Sequence, residues 1–190
     1  MRMSRKDAAE NRQKVLRLAS EMFREAGYDG VGIAALMQAA GMTNGAFYKQ
    51  FDSKEALIAE ATSEALDGNA GQWEAALEAA GPEREAALSA WYLSGLHLRH
   101  RGRGCAYAAL AAEAPRHEPP VQAAFEAGLL RTLRQIAGPE AGPEDEAEAI
   151  RLLSRLVGAM VLARAVADPD LAGRILAANG GTPGPEAQGD

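Results

Sequence analysis

The chain has 190 residues, which is enough for one or two small domains and excludes a large multidomain enzyme. Its composition, 47% hydrophobic and 24% charged, is that of an ordinary globular protein and excludes a disordered chain or a membrane-embedded one. The formal net charge of −6 argues against nucleic-acid binding over the whole surface, but residues 1–58 hold nine Lys/Arg against seven Asp/Glu, so the basic excess lies at the N-terminus.

The predicted elements are all helices. Hydrophobic residues recur at spacings of three and four, and no segment alternates as a strand would. The first helix has a stripe that includes Val15 and Phe23, and Gly27 is placed to end it in a left-handed conformation. Gly41 ends the second helix, and Thr43 is a candidate N-cap of the third. The predicted helices cover residues 6–26, 33–40, 44–51, 54–80, 83–101, 105–114, 119–137, 144–167 and 169–178.

The second and third predicted helices have the size and glycine-containing turn of a helix-turn-helix, whose second helix can enter the DNA major groove. Residues 41–57 read Gly-Met-Thr-Asn-Gly-Ala-Phe-Tyr-Lys-Gln-Phe-Asp-Ser-Lys-Glu-Ala-Leu, and Ala-Gly-Tyr precedes them at residues 26–28. Over about residues 10–60 the chain resembles the tetracycline-repressor (TetR) family of bacterial regulators. The resemblance implies that three N-terminal helices bind DNA, while the remaining helices form dimers and hold a ligand.

We therefore expect an all-α protein with three parts. These are a three-helix helix-turn-helix DNA-binding domain at residues 1–52, a helical effector-binding and dimerisation domain at residues 53–178, and a disordered tail at residues 179–190. The tail is rich in Gly, Pro and polar residues and has nothing to bury.

Residues in and next to the third predicted helix are the candidates for DNA contact. Asn44 is the expected base reader, because its amide offers the donor and acceptor that adenine requires. The resemblance implies phosphate contacts for Tyr48 and Lys54, and Lys49 adds charge. Thr43 is expected to bond helix amides through its hydroxyl and to donate to phosphate. The predicted DNA-binding residues are Thr43, Asn44, Gly45, Ala46, Tyr48, Lys49, Gln50 and Lys54.

The family pattern also implies two core anchors, Phe47 and Phe51, and it shows two departures. Gln50 stands where many members have a histidine that meets phosphate, and its amide is expected to donate in place of that ring. Gly32 stands where a Ser or Thr commonly caps the second helix, so this side-chain contact is absent. A mobile basic arm on DNA is expected from Arg2, Arg5 and Lys6.

Specific recognition by one short helix requires two copies on an inverted repeat, so we expect a homodimer. The helix predicted at residues 144–167 has apolar residues on more than one face, and Gly158 and Ala159 would permit close helix approach. With the last helix it would form a four-helix contact between subunits. The predicted interface residues are Leu153, Val157, Met160, Val161, Arg164, Leu171 and Ile175.

An effector pocket is expected among the central helices, where bulky apolar and aromatic side chains could line a cavity. The predicted lining residues are Trp73, Trp91, Tyr92, Leu96, Cys105, Tyr107, Phe125 and Leu129. The sequence thus favours a repressor that a small apolar or aromatic effector releases from a palindromic operator. The fourth and sixth helices would carry the coupling.

Two other functions compete with this one. A redox sensor would use Cys105, which sits at a predicted helix N-terminus close to Arg101 and Arg103 in sequence, although a buried packing role is the plainer interpretation. A metal site or small enzyme would use His97 and His100 with Cys105 and Glu113, but the nearby arginines would repel a cation. We expect no enzyme activity, no cofactor and no metal.

The location of the protein follows from two negative features. The start of the chain has no apolar run of the secretory type, and the single cysteine cannot form an intrachain disulfide. We expect a cytoplasmic protein that binds double-stranded DNA and no membrane.

Overall fold

The computed structural model describes residues 5–182. All regular secondary structure in these residues is helical, which confirms the predicted all-α fold. The α-helices are α1 (Arg5–Ala26), α2 (Ile33–Ala39), α3 (Lys54–Ala79), α4 (Arg84–Tyr92), α5 (Gly95–Arg99), α6 (Ala106–Leu110), α7 (Pro119–Ala137), α8 (Pro143–Ala165) and α9 (Pro169–Ala178). Short 3₁₀ helices cover Asn44–Lys49, Arg101–Arg103 and Ala114–Arg116. None of these described helices could cross a membrane.

Packing divides the chain into two compact units. The first contains residues 1–68 and 105–128, and the second contains residues 69–104 and 129–190. The first unit therefore extends past the predicted domain boundary at residue 52. It also includes residues 105–128, whose helix α6 packs against α1. The boundary between DNA-binding and effector-binding functions stays a prediction.

The first unit has a continuous apolar core built from helix faces. Val15 and Phe23 of α1 are buried with Leu36 and Met37 of α2, because these side chains recur at helical spacing on one face of each helix. Phe47 completes the core from the 3₁₀ helix. Truncating a buried Phe to Ala typically costs about 3–5 kcal/mol, so this core decides whether the unit folds.

The second unit is centred on stacked aromatic rings and on α8. The rings of Trp73 and Tyr92 stack with centroids 5.6 Å apart, and Trp91 meets Trp73 edge to face at 5.1 Å. Leu156 and Met160 are fully buried on α8, which packs against α9. Large aromatic contacts of this kind add to area burial and fix the relative positions of α3 and α4.

One long helix predicted at residues 83–101 is broken in the structure. It is replaced by α4 and α5, which are separated at Leu93 and Ser94. The Ser94 hydroxyl accepts a hydrogen bond from the His97 N–H at 3.3 Å and caps α5. A serine side chain competes with the backbone for hydrogen bonds in this way, and Ser94 therefore caps a new helix, α5, where the sequence predicted that one helix continues. The helix predicted at residues 105–114 is likewise shorter, because α6 ends at Leu110.

The end of α9 is closed by a glycine turn. The N–H of Gly181 bonds to the Leu176 carbonyl at 2.9 Å and the N–H of Gly180, whose φ is +86°, bonds to the Ala177 carbonyl at 3.1 Å. This is the Schellman arrangement, so residues 179–181 belong to the helix end although the predicted tail begins at 179. Residues 183–190, the rest of that tail, lie outside the described residues.

Candidate nucleic-acid interface

The turn between α2 and the 3₁₀ helix Asn44–Lys49 sets the geometry of the site; we name this 3₁₀ helix the recognition helix. Gly41 has a φ of +73°, its N–H bonds to the Gln38 carbonyl at 2.9 Å, and the Met42 N–H bonds to the Met37 carbonyl at 2.8 Å. The glycine permits this tight ending of α2, which reverses the chain within a few residues. The recognition helix is a tighter 3₁₀ helix and ends earlier than the predicted α-helix at residues 44–51.

The recognition helix divides its side chains between core and solvent. Phe47 and Phe51 are buried, which confirms the predicted anchors, whereas Tyr48 is 68% exposed. Asn44 and Lys49 are exposed as well. Gly45 is exposed, Ala46 is half-buried, and a Cβ at position 45 would meet no atom within 4 Å. The polar and small side chains therefore face solvent, while the buried rings of Phe47 and Phe51 hold the recognition helix against the core.

Thr43 precedes the recognition helix in extended conformation, with a ψ of 151°. Its side chain makes no capping hydrogen bond, so the predicted use of its hydroxyl on helix amides is wrong. The side chain is exposed, and its expected contact with phosphate stays a prediction. Gly32, the N-cap residue before α2, likewise makes no side-chain capping hydrogen bond, as the sequence indicates.

Gln50 is folded back onto the recognition helix. Its Nε2 donates to the Ala46 carbonyl at 3.2 Å and approaches the Met42 sulfur at 3.8 Å. The amide donors that the sequence assigned to phosphate are thus used inside the domain. In this conformation Gln50 does not replace the family histidine, so the role predicted for it requires a change of rotamer.

The start of α3 offers a second anion-favouring position. Ser53 caps α3 by accepting the Ala56 N–H at 3.0 Å, and the half-buried Lys54 is its first residue. The N-terminus of a 26-residue helix carries partial positive charge, which adds to the lysine charge. Of the predicted basic arm, Lys6 is exposed and lies 3.8 Å from Glu10, whereas Arg2 and the side chain of Arg5 lie outside the described residues.

A partly buried polar cluster ties Tyr28, which follows α1, to α3 and to residues 113–117. The Tyr28 hydroxyl hydrogen-bonds the Thr62 hydroxyl at 2.6 Å, and the Tyr28 N–H donates to Glu113 at 2.9 Å. His117 Nδ1 lies 3.1 Å from the Glu55 carboxylate, and its ring meets the Tyr28 ring edge to face at 4.8 Å. Burial is the main reason that the pKa of Tyr28 rises to about 12, so the hydroxyl stays neutral near pH 7. No local spacing in the sequence links these residues.

The eight predicted pocket residues fall into two groups, which lie in different units. Trp73, Trp91 and Tyr92 are in mutual ring contact in the second unit. Tyr107 and Phe125 lie in the first unit with ring centroids 6.3 Å apart. The first unit also contains Cys105, and the second contains Leu96 and Leu129, both of which are exposed.

Two open cavities of the second unit involve other residues. One of about 390 Å³ lies between α4, α7 and α8, and the other, of about 470 Å³, follows the α7–α8 connection. The first is lined by Arg84, Glu85, Leu88, Ile136, Ala137, Asp145, Glu148, Ala149, Arg151, Leu152 and Arg155. No predicted pocket residue lines either cavity, so the effector site stays a prediction.

The predicted dimer residues also divide by exposure. Leu153 and Met160 are buried within the chain, and these two side chains have almost no surface left to offer a partner. Arg164 is half-buried and its Nη2 donates to the His97 carbonyl at 2.6 Å. Val161 is 43% exposed, and Val157, Leu171 and Ile175 are half-buried.

The residues of the competing functions differ in exposure: Cys105 is buried, His97 and Glu113 are half-buried, and His100 is exposed. Cys105 is 4% exposed, directly before the five-residue α6. Burial, the largest cause, lowers the pKa of His97 to about 4, and its Nδ1 lies 2.7 Å from the Tyr92 carbonyl. Within residues 5–182 no three His, Cys, Asp or Glu side chains are grouped as metal ligands would be.

Comparisons with known proteins agree with this architecture. Residues 15–61 match the sequence model of the family described as bacterial regulatory proteins, tetR family. A TetR transcriptional regulator from Chloroflexus aurantiacus is 21% identical, with a TM-score of 0.73 over 92% of this chain and 94% of its own. A TetR-family regulator from Cytophaga hutchinsonii is 15% identical, with a TM-score of 0.73 over 95% of each chain. For E. coli NemR in its reduced form the identity is 19% and the TM-score 0.71, over 89% of this chain and 94% of that one. No curated protein sequence matches.

The all-helical fold and the exposed recognition helix over its aromatic anchors define a DNA-binding transcriptional regulator of the helix-turn-helix class. Residues 15–61 match the tetR family of bacterial regulatory proteins, and the fold of the described residues is similar to that of solved TetR-family regulators.

Proposed function

We propose that this regulator is a repressor that binds an inverted-repeat operator as a homodimer and leaves it when a small apolar or aromatic effector binds. One observation carries the proposal: the recognition helix buries Phe47 and Phe51 while Asn44, Tyr48 and Lys49 remain exposed. A helix anchored in this way can enter a DNA groove while its aromatic residues stay packed in the core.

The exposed side chains differ in the part of DNA that each can bind. Asn44 lies at the start of the recognition helix, and its amide can pair with the N6 and N7 groups of adenine. Tyr48, Lys49 and Lys54 supply a hydroxyl and two positive charges for phosphates, which hold the helix in place without reading sequence. The open space beside Gly45 allows close approach to the base edges. Base preference and overall affinity therefore depend on different residues.

The second copy of the recognition helix would come from dimerisation through α8 and α9. Val161 on α8 is exposed, as are Ile150 and Leu162, which are 45% and 59% exposed. Val157 is half-buried on the same helix. Exposed apolar side chains on one helix are typical of a surface that another subunit covers. The proposed interface omits Leu153 and Met160, which pack within their own chain.

Release by an effector requires a link between the DNA-binding helices and the rest of the chain. The cluster formed by Tyr28, Thr62, Glu113, His117 and Glu55 supports such a link, because it joins residues 113–117 to α3 and to Tyr28, which directly follows the Gly27 turn at the end of α1. An effector that moved these residues would bias the recognition helix by its different affinity for the two arrangements, typically about 1–3 kcal/mol.

Selection of bound fragments from the native genome by the purified full chain tests the proposal. The bound sequences should align to an inverted repeat whose half-sites are separated by about one DNA turn, ~34–36 Å, or a multiple of it. Compounds related to the products of neighbouring genes should then release the protein. Fragments without any shared inverted repeat would contradict the dimeric operator, and a complex that no such compound dissociates would contradict effector release.

A further inference from the structure

Arg12 on α1 contacts three groups that belong to other elements. Its Nε donates to the backbone carbonyl of Gln50, the residue directly after the recognition helix, at 3.3 Å. Its Nη2 donates to both carboxylate oxygens of Glu60 on α3, at 2.7 and 2.6 Å. The guanidinium carbon lies 4.7 Å from the centre of the Phe51 ring. One side chain therefore joins α1, α3 and the end of the recognition helix.

The chemistry of arginine suits this position better than that of any other cation. Carbonyl groups at a helix end have no partner within the helix, and the Gln50 carbonyl is supplied with one by Arg12. The planar guanidinium presents donors in a fixed fork and stacks on an aromatic ring, so it can satisfy a carbonyl and a carboxylate at once. The ion pair itself is partly exposed on both sides and contributes little to stability.

We propose that Arg12 is a positioning residue for operator recognition and that Glu60 orients it. Arg12 holds the C-terminal end of the recognition helix at a set distance from α1 and α3, so that Asn44, Tyr48 and Lys49 meet the groove together. This inference rests on the proposed DNA-binding role of those three residues.

A neighbouring pair provides a matched control. Gln13 Nε2 donates to Glu64 Oε2 at 3.0 Å, which joins the same two helices one residue further along α1. This pair has no bond to the recognition helix. Removing the Gln13–Glu64 hydrogen bond therefore removes an α1–α3 contact while the contacts at the end of the recognition helix remain.

The experiment compares full-length Arg12→Lys, Arg12→Gln and Glu60→Gln with Gln13→Ala. Affinity is measured by titration of an operator fragment selected from the native genome, over a series of salt concentrations and well below each variant's Tm. We expect each Arg12 variant and Glu60→Gln to bind about tenfold more weakly, which is the factor a charge-assisted hydrogen bond commonly supplies. Gln13→Ala should stay within about twofold of the unchanged protein. The salt dependence should be the same in all of them, because no phosphate contact is removed.

Amide hydrogen exchange without DNA gives an independent readout. Arg12→Gln should speed exchange at residues 47–51 and leave α2 unchanged, and this result can be obtained even if the proposed operator function fails. Equal losses of affinity in Arg12→Gln and Gln13→Ala would overturn the proposal in favour of general support of the fold. A salt dependence that falls by about one unit in Arg12→Gln would overturn it in favour of direct phosphate binding by Arg12. Unchanged exchange at residues 47–51 would also overturn it.

Discussion

Alanine at position 27 should destabilise the protein more than alanine at position 41, although both glycines have left-handed backbones. Their φ angles are +78° and +73°, so the conformational strain on a new side chain is nearly the same, about 1–2 kcal/mol at each site. The surroundings differ. A Cβ at position 27 would lie 2.8 Å from Glu113 Oε1, whereas a Cβ at position 41 would meet no atom within 4 Å.

The extra cost at position 27 is the loss of one hydrogen bond. The Glu113 carboxylate can move away from the new methyl group, but it then leaves the Tyr28 N–H that it accepts at 2.9 Å. A part-buried donor left without its charged acceptor costs about 1–3 kcal/mol. Gly27→Ala should therefore cost about 1–3 kcal/mol more than Gly41→Ala, since the effect of alanine on the unfolded chain is common to both.

Urea denaturation of both variants, alone and combined with Glu113→Ala, measures this difference as a double-mutant cycle. In the Glu113→Ala background the two glycine variants should lose the same free energy of unfolding. If Gly27→Ala still costs more than Gly41→Ala once the carboxylate is absent, then the contact with Glu113 is not the reason and the assignment is refuted.

Other expected outcomes concern DNA, the dimer and the titratable groups. Lys54→Ala should weaken binding to all operators alike and lower the slope of log affinity against log salt concentration by about one. Asn44→Ala should instead change the preferred bases in a selection, and equal losses of affinity at every site would contradict the role of Asn44. Val161→Asp should shift the protein to monomers in analytical ultracentrifugation while its melting temperature is retained, since the side chain is exposed; unchanged dimers would exclude this surface. Cys105→Ser should leave any peroxide response of operator binding as it was, because the thiol is buried, and loss of a response would revive the redox alternative. The pKa of His97 is lowered to about 4 in the folded chain, so between pH 6.5 and 4 the unfolded chain binds more protons than the folded chain. The free energy of unfolding should therefore fall by up to about 3 kcal/mol as the pH is lowered through that range. His97→Gln should flatten this part of the curve of unfolding free energy against pH.

The features that the sequence predicted well depend on local periodicity and on local turn chemistry. The apolar stripe of α1 and the buried pair Phe47 and Phe51 follow from helical spacing, and the glycine turns at Gly27 and Gly41 follow from the need for positive φ. Each of these features depends on residues a few positions apart, so it can be predicted from the local sequence.

The features that it missed depend on contacts between distant residues. The bond from Arg12 to Glu60 and the bond from Tyr28 to Glu113 join residues 48 and 85 positions apart, and no spacing rule connects them. The inward turn of Gln50 is a choice of rotamer that the residue type leaves open. The effector pocket stays a prediction, because aromatic side chains indicate bulk, whereas a cavity depends on how helices pack.

The number of chains bound to one operator tests the central claim most directly. Native mass spectrometry of the full-length protein with a duplex that carries one selected inverted repeat should give two chains per duplex, and a duplex with one half-site destroyed should bind far more weakly. A single chain bound with full affinity to one half-site, or no complex with chromosomal duplexes even at low ionic strength, would contradict the account.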